Sequence, residues 1–139
     1  MAEIISKSEK ETIIAGKDFA KNLKSGDIIR LEGDLGAGKT HFVKGIASFF
    51  KIDENKVSSP TFTLINEYHG DLSLFHFDCY RLKNAQEALE IGTEDYLYGD
   101  GISIIEWPSK IEELLPEQVI TVEIQHVREN ERKIIISYH

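Results

Sequence analysis

The chain has 139 residues, which is enough for one domain with a buried core and too few for long insertions. Its formal net charge of −8, from 16 Lys and Arg against 24 Asp and Glu, argues against a broad basic surface that would hold RNA or DNA directly. A single cysteine cannot form an internal disulfide, and there is no apolar leader and no run of about 18 apolar residues, so we expect one cytoplasmic domain over residues 1–139 that makes no contact with a membrane.

The first predicted element is an amphipathic helix. Ser8 and Glu11 have the spacing of a capping box at a helix N-terminus. The residues expected on its buried face follow at helical spacing: Ile13, Gly16, Ala20 and Leu23. The pattern continues to Lys24 and ends before the polar segment Ser25-Gly26-Asp27. We expect this helix to pack against a sheet.

A glycine-rich loop follows an apolar run. The run Ile28-Ile29-Arg30-Leu31 predicts a strand, and the apolar residues between positions 42 and 50 recur at helical spacing. Between them, Gly33-Asp34-Leu35-Gly36-Ala37-Gly38-Lys39-Thr40 matches the phosphate-binding pattern G-x-x-x-x-G-K-[ST] at every fixed position. This motif requires a strand before it and a helix after it, so the sequence predicts a nucleotide site.

The residue types of this loop suit a phosphate group. Glycine at positions 33, 36 and 38 permits sharp turns and lets backbone N–H groups approach an anion at a helix N-terminus. We expect Lys39 to contact the β- and γ-phosphates and the Thr40 hydroxyl to bind Mg²⁺. We also expect His41, the next residue of the helix, to contribute to nucleotide binding.

The later elements predict a mixed sheet. The β-rich runs 62–68 and 72–78 flank the turn His69-Gly70-Asp71, which is typical of an antiparallel hairpin. Further predicted elements are a helix from Asn84 to Gly92, a helical turn over 93–97, a buried parallel strand Ile102–Glu106, a short helix Pro108–Leu114 and a terminal hairpin of 119–125 and 133–138. The predicted fold is α/β: a P-loop NTPase-like mixed β-sheet flanked by helices, with an inserted hairpin and a C-terminal hairpin.

Two carboxylates are candidates for catalysis. Asp78 and Glu106 each end an apolar strand, the usual location of a metal-linked acid in nucleotide hydrolases. One could hold Mg²⁺ through its water shell while the other orients the attacking water. A carboxylate at a strand end is also often only solvated or a helix cap, so spacing alone leaves both possibilities open. The segment Ser58-Ser59-Pro60-Thr61 is comparable with the switch loops of such enzymes, although its Ser-Pro and Pro-Thr pairs are common in ordinary loops.

Other residues give less specific signals. The guanine-binding pattern N-K-x-D has its nearest match at Asn55-Lys56-Val57-Ser58, which lacks the Asp and lies too early, so ATP is favoured over GTP. Trp107 follows Glu106 and could stack near a nucleotide, but its position after a buried strand favours the core. The five histidines show no metal-ligand spacing, and Cys79 has no identifiable base partner.

Four blocks of the chain together resemble the TsaE family, also called YjeE. They are residues 33–40, 59–63, 76–82 and 105–108. Their order and spacing agree with the family across essentially the whole chain. The resemblance implies a bacterial Mg²⁺-dependent ATPase, producing ADP, that works with the TsaD and TsaB proteins. Together they make N6-threonylcarbamoyladenosine at position 37 of tRNAs that read ANN codons, and tRNA is contacted only indirectly, through the complex.

The resemblance also implies roles for single residues. These are phosphate and Mg²⁺ binding for Lys39 and Thr40, a metal-linked acid at Glu106, a catalytic carboxylate at Asp78 and a switch-like segment containing Thr61. In relatives, the region 6–12, which here contains Ser6 and Thr12, lies near the nucleotide, as does the residue at the position of Trp107.

Two other functions stay open from the sequence. A small-molecule kinase shares the phosphate loop but needs an acceptor pocket and usually a mobile lid with arginines, and no arginine-rich lid segment is present. A non-hydrolysing nucleotide-binding module would need neither Asp78 nor Glu106. Nothing in the sequence directs Arg81, Arg128 or Arg132 at the γ-phosphate, so we expect slow ATP turnover by the isolated chain and faster turnover with partners.

Overall fold

The computed structural model describes residues 2–34, 38–58 and 65–138. The strands within these residues are β1 (Ala2–Ser6), β2 (Ile28–Glu32), β3 (Ile65–His69), β4 (Ser73–Asp78), β5 (Ile102–Glu106), β6 (Ile120–Arg128) and β7 (Glu131–Tyr138). The helices are α1 (Glu9–Ala20), α2 (Lys39–Phe49), α3 (Ala85–Glu90) and α4 (Thr93–Leu97), with 3₁₀ segments at Glu54–Lys56 and Pro108–Leu114. None of these helices is long and apolar enough to cross a membrane.

The strands of the described residues form one mixed sheet in the order β1-β7-β6-β2-β5-β4-β3. Strand β2 lies between β5 and β6 and is parallel to both, and β4 is parallel to β5. The β3-β4 and β6-β7 hairpins and the β1-β7 pair are antiparallel. The predicted mixed sheet with an inserted and a C-terminal hairpin is confirmed, although residues 62–64 lie outside the described part. Since β2, β4 and β5 are parallel, their carboxyl ends meet at one edge of the sheet.

Hydrophobic cores cover both faces of the sheet. Side chains of β5 alternate between the faces, so Ile104 packs in the core that contains the residues of α1 and α2, and Ile105 packs in the core that contains residues of α3 and α4. Helix α1 lies very close to α2, because a Cβ atom added to Gly45 would come within 2.0 Å of the Ile13 carbonyl oxygen. Glycine at position 45 therefore permits the close contact between the two helices.

Three local features differ from the sequence predictions. Strand β1 is not predicted; it is paired with β7, and most of its side chains are exposed or only partly buried. Helix α1 ends at Ala20 instead of Lys24, because the Lys21 N–H bonds to carbonyls of the last turn and tightens it. Segment Pro108–Leu114 is 3₁₀ with a kink, since Ile111 has a φ of −126° and a fully buried side chain.

Candidate functional site

A cavity of about 330 Å³ lies between the N-terminal ends of α1 and α2. Helix α1 contributes Ser8, Glu9 and Thr12, and the start of α2 contributes residues 38–41. Glu106 at the end of β5 and residues 129, 130 and 132 of the β6-β7 hairpin complete the described wall. This volume lies within the range of small-ligand pockets.

The N-terminal end of α2 is open towards this cavity. Gly38 precedes the helix with a φ of 102°, a left-handed conformation that favours glycine. Within the described residues no side chain caps α2, and its first turn carries no acidic residue. The first N–H groups of a helix lack partners inside the helix, and the helix dipole adds positive potential there. This end of α2 therefore suits an anion such as a phosphate group.

The N-terminal end of α1 has a side-chain cap. Ser8 Oγ accepts a hydrogen bond from the Glu11 N–H at 3.0 Å, and Glu11 Oε1 accepts one from the Lys7 N–H at 3.0 Å. The predicted helix start at Ser8 is confirmed, with Lys7 as the second donor in place of Ser8 itself. The Thr12 hydroxyl lies 2.7 Å from Ser6 Oγ. Ser6 is buried, and of this pair only Thr12 is on the described cavity wall.

Glu106 is held by two basic side chains. Its Oε1 lies 3.3 Å from Lys39 Nζ, and both side chains are only 7% exposed. Its Oε2 lies 2.5 Å from Nε2 of His76, which is fully buried. Among the described residues, no hydrogen-bond partner reaches His76 Nδ1. The three side chains thus form a chain of polar contacts from the interior of the sheet to the first residue of α2.

These contacts set the ionisation of Glu106. Burial raises the pKa of its carboxyl group, but the hydrogen bond and electrostatic interaction with His76, followed by those with Lys39, outweigh burial and leave the pKa below the usual 4.5. Glu106 is therefore ionised at neutral pH.

Burial and the nearby Asp78 and Glu106 carboxylates raise the pKa of the Cys79 thiol to about 12, so this thiol stays protonated and is a poor nucleophile.

Comparison with known proteins shows the family of the chain. The family model described as "Threonylcarbamoyl adenosine biosynthesis protein TsaE" matches residues 6–134. The chain belongs to the TsaE family. The resemblance of its four motif blocks to this family is thereby confirmed.

Curated relatives and a solved structure agree with this family. The tRNA threonylcarbamoyladenosine biosynthesis protein TsaE of Treponema pallidum is 38% identical over 133 residues, covering 96% of this chain and 98% of the relative. Its Bacillus subtilis counterpart is 43% identical over 126 residues, covering 90% and 78%. The crystal structure of Bacillus subtilis YdiB superposes with a TM-score of 0.77 at 36% identity, covering 96% of this chain and 82% of that chain. The predicted P-loop NTPase-like fold is therefore confirmed.

The structure brings several residues predicted for this TsaE-family site together. Lys39, Thr40 and His41 start α2 and share the cavity wall with Thr12 and Glu106. The Thr40 hydroxyl and the Glu106 carboxylate are hard oxygen donors of the kind that Mg²⁺ prefers, so the side chains present fit this ion. Within the described residues, no group of three His, Cys, Asp or Glu side chains could hold a metal ion by itself.

Asp78 lies beside Glu106 at the same edge of the sheet. The two residues are Cα partners in the parallel register of β4 and β5. Asp78 Oδ1 accepts a hydrogen bond from the Tyr80 N–H at 3.0 Å. The two carboxylates predicted to act together are therefore on adjacent strand ends.

The remaining loop residues lie elsewhere or outside the described part. Gly33 and Asp34 line a second cavity of about 670 Å³, which Trp107 also lines. Leu35, Gly36, Ala37 and Thr61 lie outside the described residues, so their roles stay predictions.

Trp107 lies between a hydrophobic core and the start of α2. Its ring packs against the core below α3 and α4. Its centroid also lies 4.8 Å from Lys39 Nζ, which is a cation–π distance, and 4.9 Å from the Tyr80 ring. Its backbone is left-handed, with a φ of 57°, which is uncommon for a residue other than glycine and tends to occur at functional sites. Trp107 thus contacts the lysine expected to bind phosphate.

Two residues of this site are not predicted from the sequence. Arg132 lies on the cavity wall near Gly38, and its Nη1 donates hydrogen bonds to three carbonyl oxygens of the β6-β7 hairpin. No sequence spacing shows that Arg132 lies near Gly38, because this proximity depends on the order of strands in the sheet.

His76 has a recognisable feature in the sequence, since it is a polar residue inside an apolar strand, two positions before Asp78. His76 does not have the spacing of a metal ligand, so the spacing of the histidines predicts no role for it.

Proposed function

We propose that this chain binds and hydrolyses ATP in the formation of N6-threonylcarbamoyladenosine at position 37 of tRNAs that read ANN codons. One observation carries the nucleotide part of the proposal: the N-terminal end of α2, which no side chain of the described residues caps, opens on a cavity whose wall includes Lys39, Thr40 and Glu106. The curated relatives from Treponema pallidum and Bacillus subtilis, named tRNA threonylcarbamoyladenosine biosynthesis proteins, support the pathway.

Phosphate binding uses the start of α2 in this proposal. The phosphates take hydrogen bonds from the first backbone N–H groups of α2, and Lys39 exchanges its contact with Glu106 for the β- and γ-phosphates. This exchange leaves Glu106 Oε1 free to bind Mg²⁺ together with the Thr40 hydroxyl. When bound, Mg²⁺ neutralises negative charge on the phosphates.

Hydrolysis depends mainly on positioning and on charge stabilisation. We assign the orientation of the attacking water to Asp78, because it ends the strand next to Glu106. Its Oδ1 accepts the Tyr80 N–H, and we expect Oδ2 to contact the water. Thr61 belongs to the proposed switch-like segment, which is expected to respond to the γ-phosphate.

Partners complete the proposal. The net charge of −8 fits a chain that contacts tRNA only through the basic surface of a partner, and the partners we propose are the TsaD and TsaB proteins. Arg132 Nη1 is engaged by three hairpin carbonyls, which favours an additional cation supplied from outside. Such a cation raises phosphoryl-transfer rates by about 10³–10⁵-fold where its effect is known. Turnover by the isolated chain should therefore be slow.

ATP consumption under three conditions tests this function. The chain is assayed alone, with the TsaD and TsaB proteins, and with candidate small acceptors. We expect slow consumption alone and a marked increase with the two proteins. An increase that requires a small acceptor would indicate a kinase, and no consumption under any condition would indicate a non-hydrolysing module. Rapid hydrolysis by the chain alone, unchanged by the partners, would contradict partner coupling.

A further inference from the structure

We propose that His76 is a positioning residue that orients the Glu106 carboxylate for Mg²⁺. This inference rests on the proposed function, because it concerns how the same site binds Mg-ATP. His76 does not reach the cavity itself. It contacts Glu106 through one short hydrogen bond, from Nε2 to Oε2 at 2.5 Å.

Among the described residues, the His76 side chain makes this hydrogen bond and no other. The side chain is fully buried, and β4 on either side of it carries Leu74, Phe75 and Phe77. Nδ1 lacks a hydrogen-bond partner among the described residues, and an unpaired buried polar atom costs free energy. An apolar residue at this position would avoid that cost. The histidine is therefore best explained by what its other nitrogen does to Glu106.

The hydrogen-bond geometry also assigns the proton. Oε2 of the ionised carboxylate is an acceptor, so Nε2 must be the donor. His76 acts here as a fixed N–H donor.

The hydrogen bond from His76 to Glu106 Oε2 fixes the direction of the other carboxylate oxygen, Oε1. With Oε2 bound to His76, only Oε1 faces Lys39, at 3.3 Å. Without His76, the carboxylate could rotate, and neither of its oxygens would keep a fixed direction. His76 therefore keeps one oxygen oriented towards the place where Thr40 and the phosphates would bind the ion. Removing a residue that hydrogen-bonds to a metal ligand typically lowers metal affinity by about 10–100-fold.

Three variants of the full chain separate this role from simple packing. His76→Gln keeps an N–H donor at about the reach of Nε2, whereas His76→Asn has the same amide with a shorter reach, and His76→Leu has no donor. ATP binding is measured by calorimetry over a series of Mg²⁺ concentrations and in the presence of a chelator. Thermal unfolding of each variant is recorded in parallel.

We expect His76→Leu and His76→Asn to need about 10–100-fold more Mg²⁺ for half-maximal enhancement of ATP binding. His76→Gln should stay within about threefold of the wild-type requirement, and metal-free ATP binding should change little in any of them. In a Glu106→Gln background, His76→Leu should have no further effect, because the group that it positions is gone.

A wild-type Mg²⁺ requirement in His76→Leu, or a Gln variant as impaired as the Leu variant, would overturn the positioning role while leaving the proposed function intact. If His76→Leu does not fold, the comparison of the Asn and Gln variants decides in the same way. Failure of the wild-type chain to bind ATP at any Mg²⁺ concentration would overturn the proposed function, and this inference with it.

Discussion

The N-terminal ends of α1 and α2 share one cavity, but their backbone N–H groups are satisfied differently. Helix α1 has Ser8 as its cap and two acidic residues, Glu9 and Glu11, in its first turn. Helix α2 begins after Gly38, with no side-chain cap and no acidic residue among its described first turn. A capping oxygen and nearby carboxylates satisfy the free N–H groups and the helix dipole. The difference indicates that the start of α1 contributes stability, while the start of α2 suits the anionic ligand that we propose.

We expect the largest effect for Lys39→Ala, which tests whether the start of α2 binds phosphate. Truncating one member of a buried charge pair typically costs about 2–5 kcal/mol of binding free energy, so ATP affinity measured by calorimetry should fall by that amount. Folding should survive, because Glu106 keeps its hydrogen bond to His76. Lys17→Ala, on the exposed side of α1, is the control and should bind ATP as the wild type does. Equal ATP affinity in folded Lys39→Ala would exclude α2 as the phosphate site.

Substitution of the two carboxylates should reduce ATP hydrolysis much more than ATP binding. Glu106→Gln and Asp78→Asn are expected to retain much of the ATP binding but to lose hydrolysis by on the order of 10²-fold or more in the presence of the TsaD and TsaB proteins. Initial rates at saturating ATP give the comparison, with Glu117→Gln as an exposed control. Hydrolysis at the wild-type rate in both variants would show that neither carboxylate is catalytic.

A smaller effect is expected at the start of α1. Loss of a serine or asparagine cap typically costs about 1 kcal/mol, so Ser8→Ala should lower the free energy of unfolding by that amount. Asn84→Ala is the matched control, because Asn84 caps α3 by accepting a hydrogen bond from the Glu87 N–H. Urea denaturation measures both variants. The contrast between the helices would fail if Ser8→Ala kept full stability and lost as much ATP affinity as Lys39→Ala.

The smallest expected effect is on stability in acid. The pKa of Glu106 lies below 4.5 in the folded chain, so its ionised contacts stabilise the fold above that pH and are lost as the pH falls through the folded-state pKa. In metal-free buffer, the stability difference between wild type and Glu106→Gln should therefore shrink as the pH is lowered below about 4.5. The same difference for Glu117→Gln should change less, since Glu117 is exposed. A Glu106 difference that grows in acid would contradict the direction of the shift.

The parts of the site that sequence could predict are those with local chemistry. Lys39 and Thr40 belong to one short motif, and Ile102–Glu106 is an apolar run whose burial and terminal carboxylate can both be read directly. Arg132 could not be predicted, because only the sheet order brings the β6-β7 hairpin to Gly38. The same holds for the contact between His76 and Glu106, since it joins residues 30 positions apart across two strands.

The central claim is that the start of α2 binds the phosphates of ATP. Parallel calorimetric titrations of the wild-type chain with ATP and with adenosine, at one Mg²⁺ concentration, test it most directly, because the two ligands differ only in the phosphates. Loss of the contacts to Lys39 and to the first backbone N–H groups of α2 should make adenosine bind at least about 2 kcal/mol more weakly than ATP. Adenosine that binds as tightly as ATP, or a chain that binds neither, would contradict the claim.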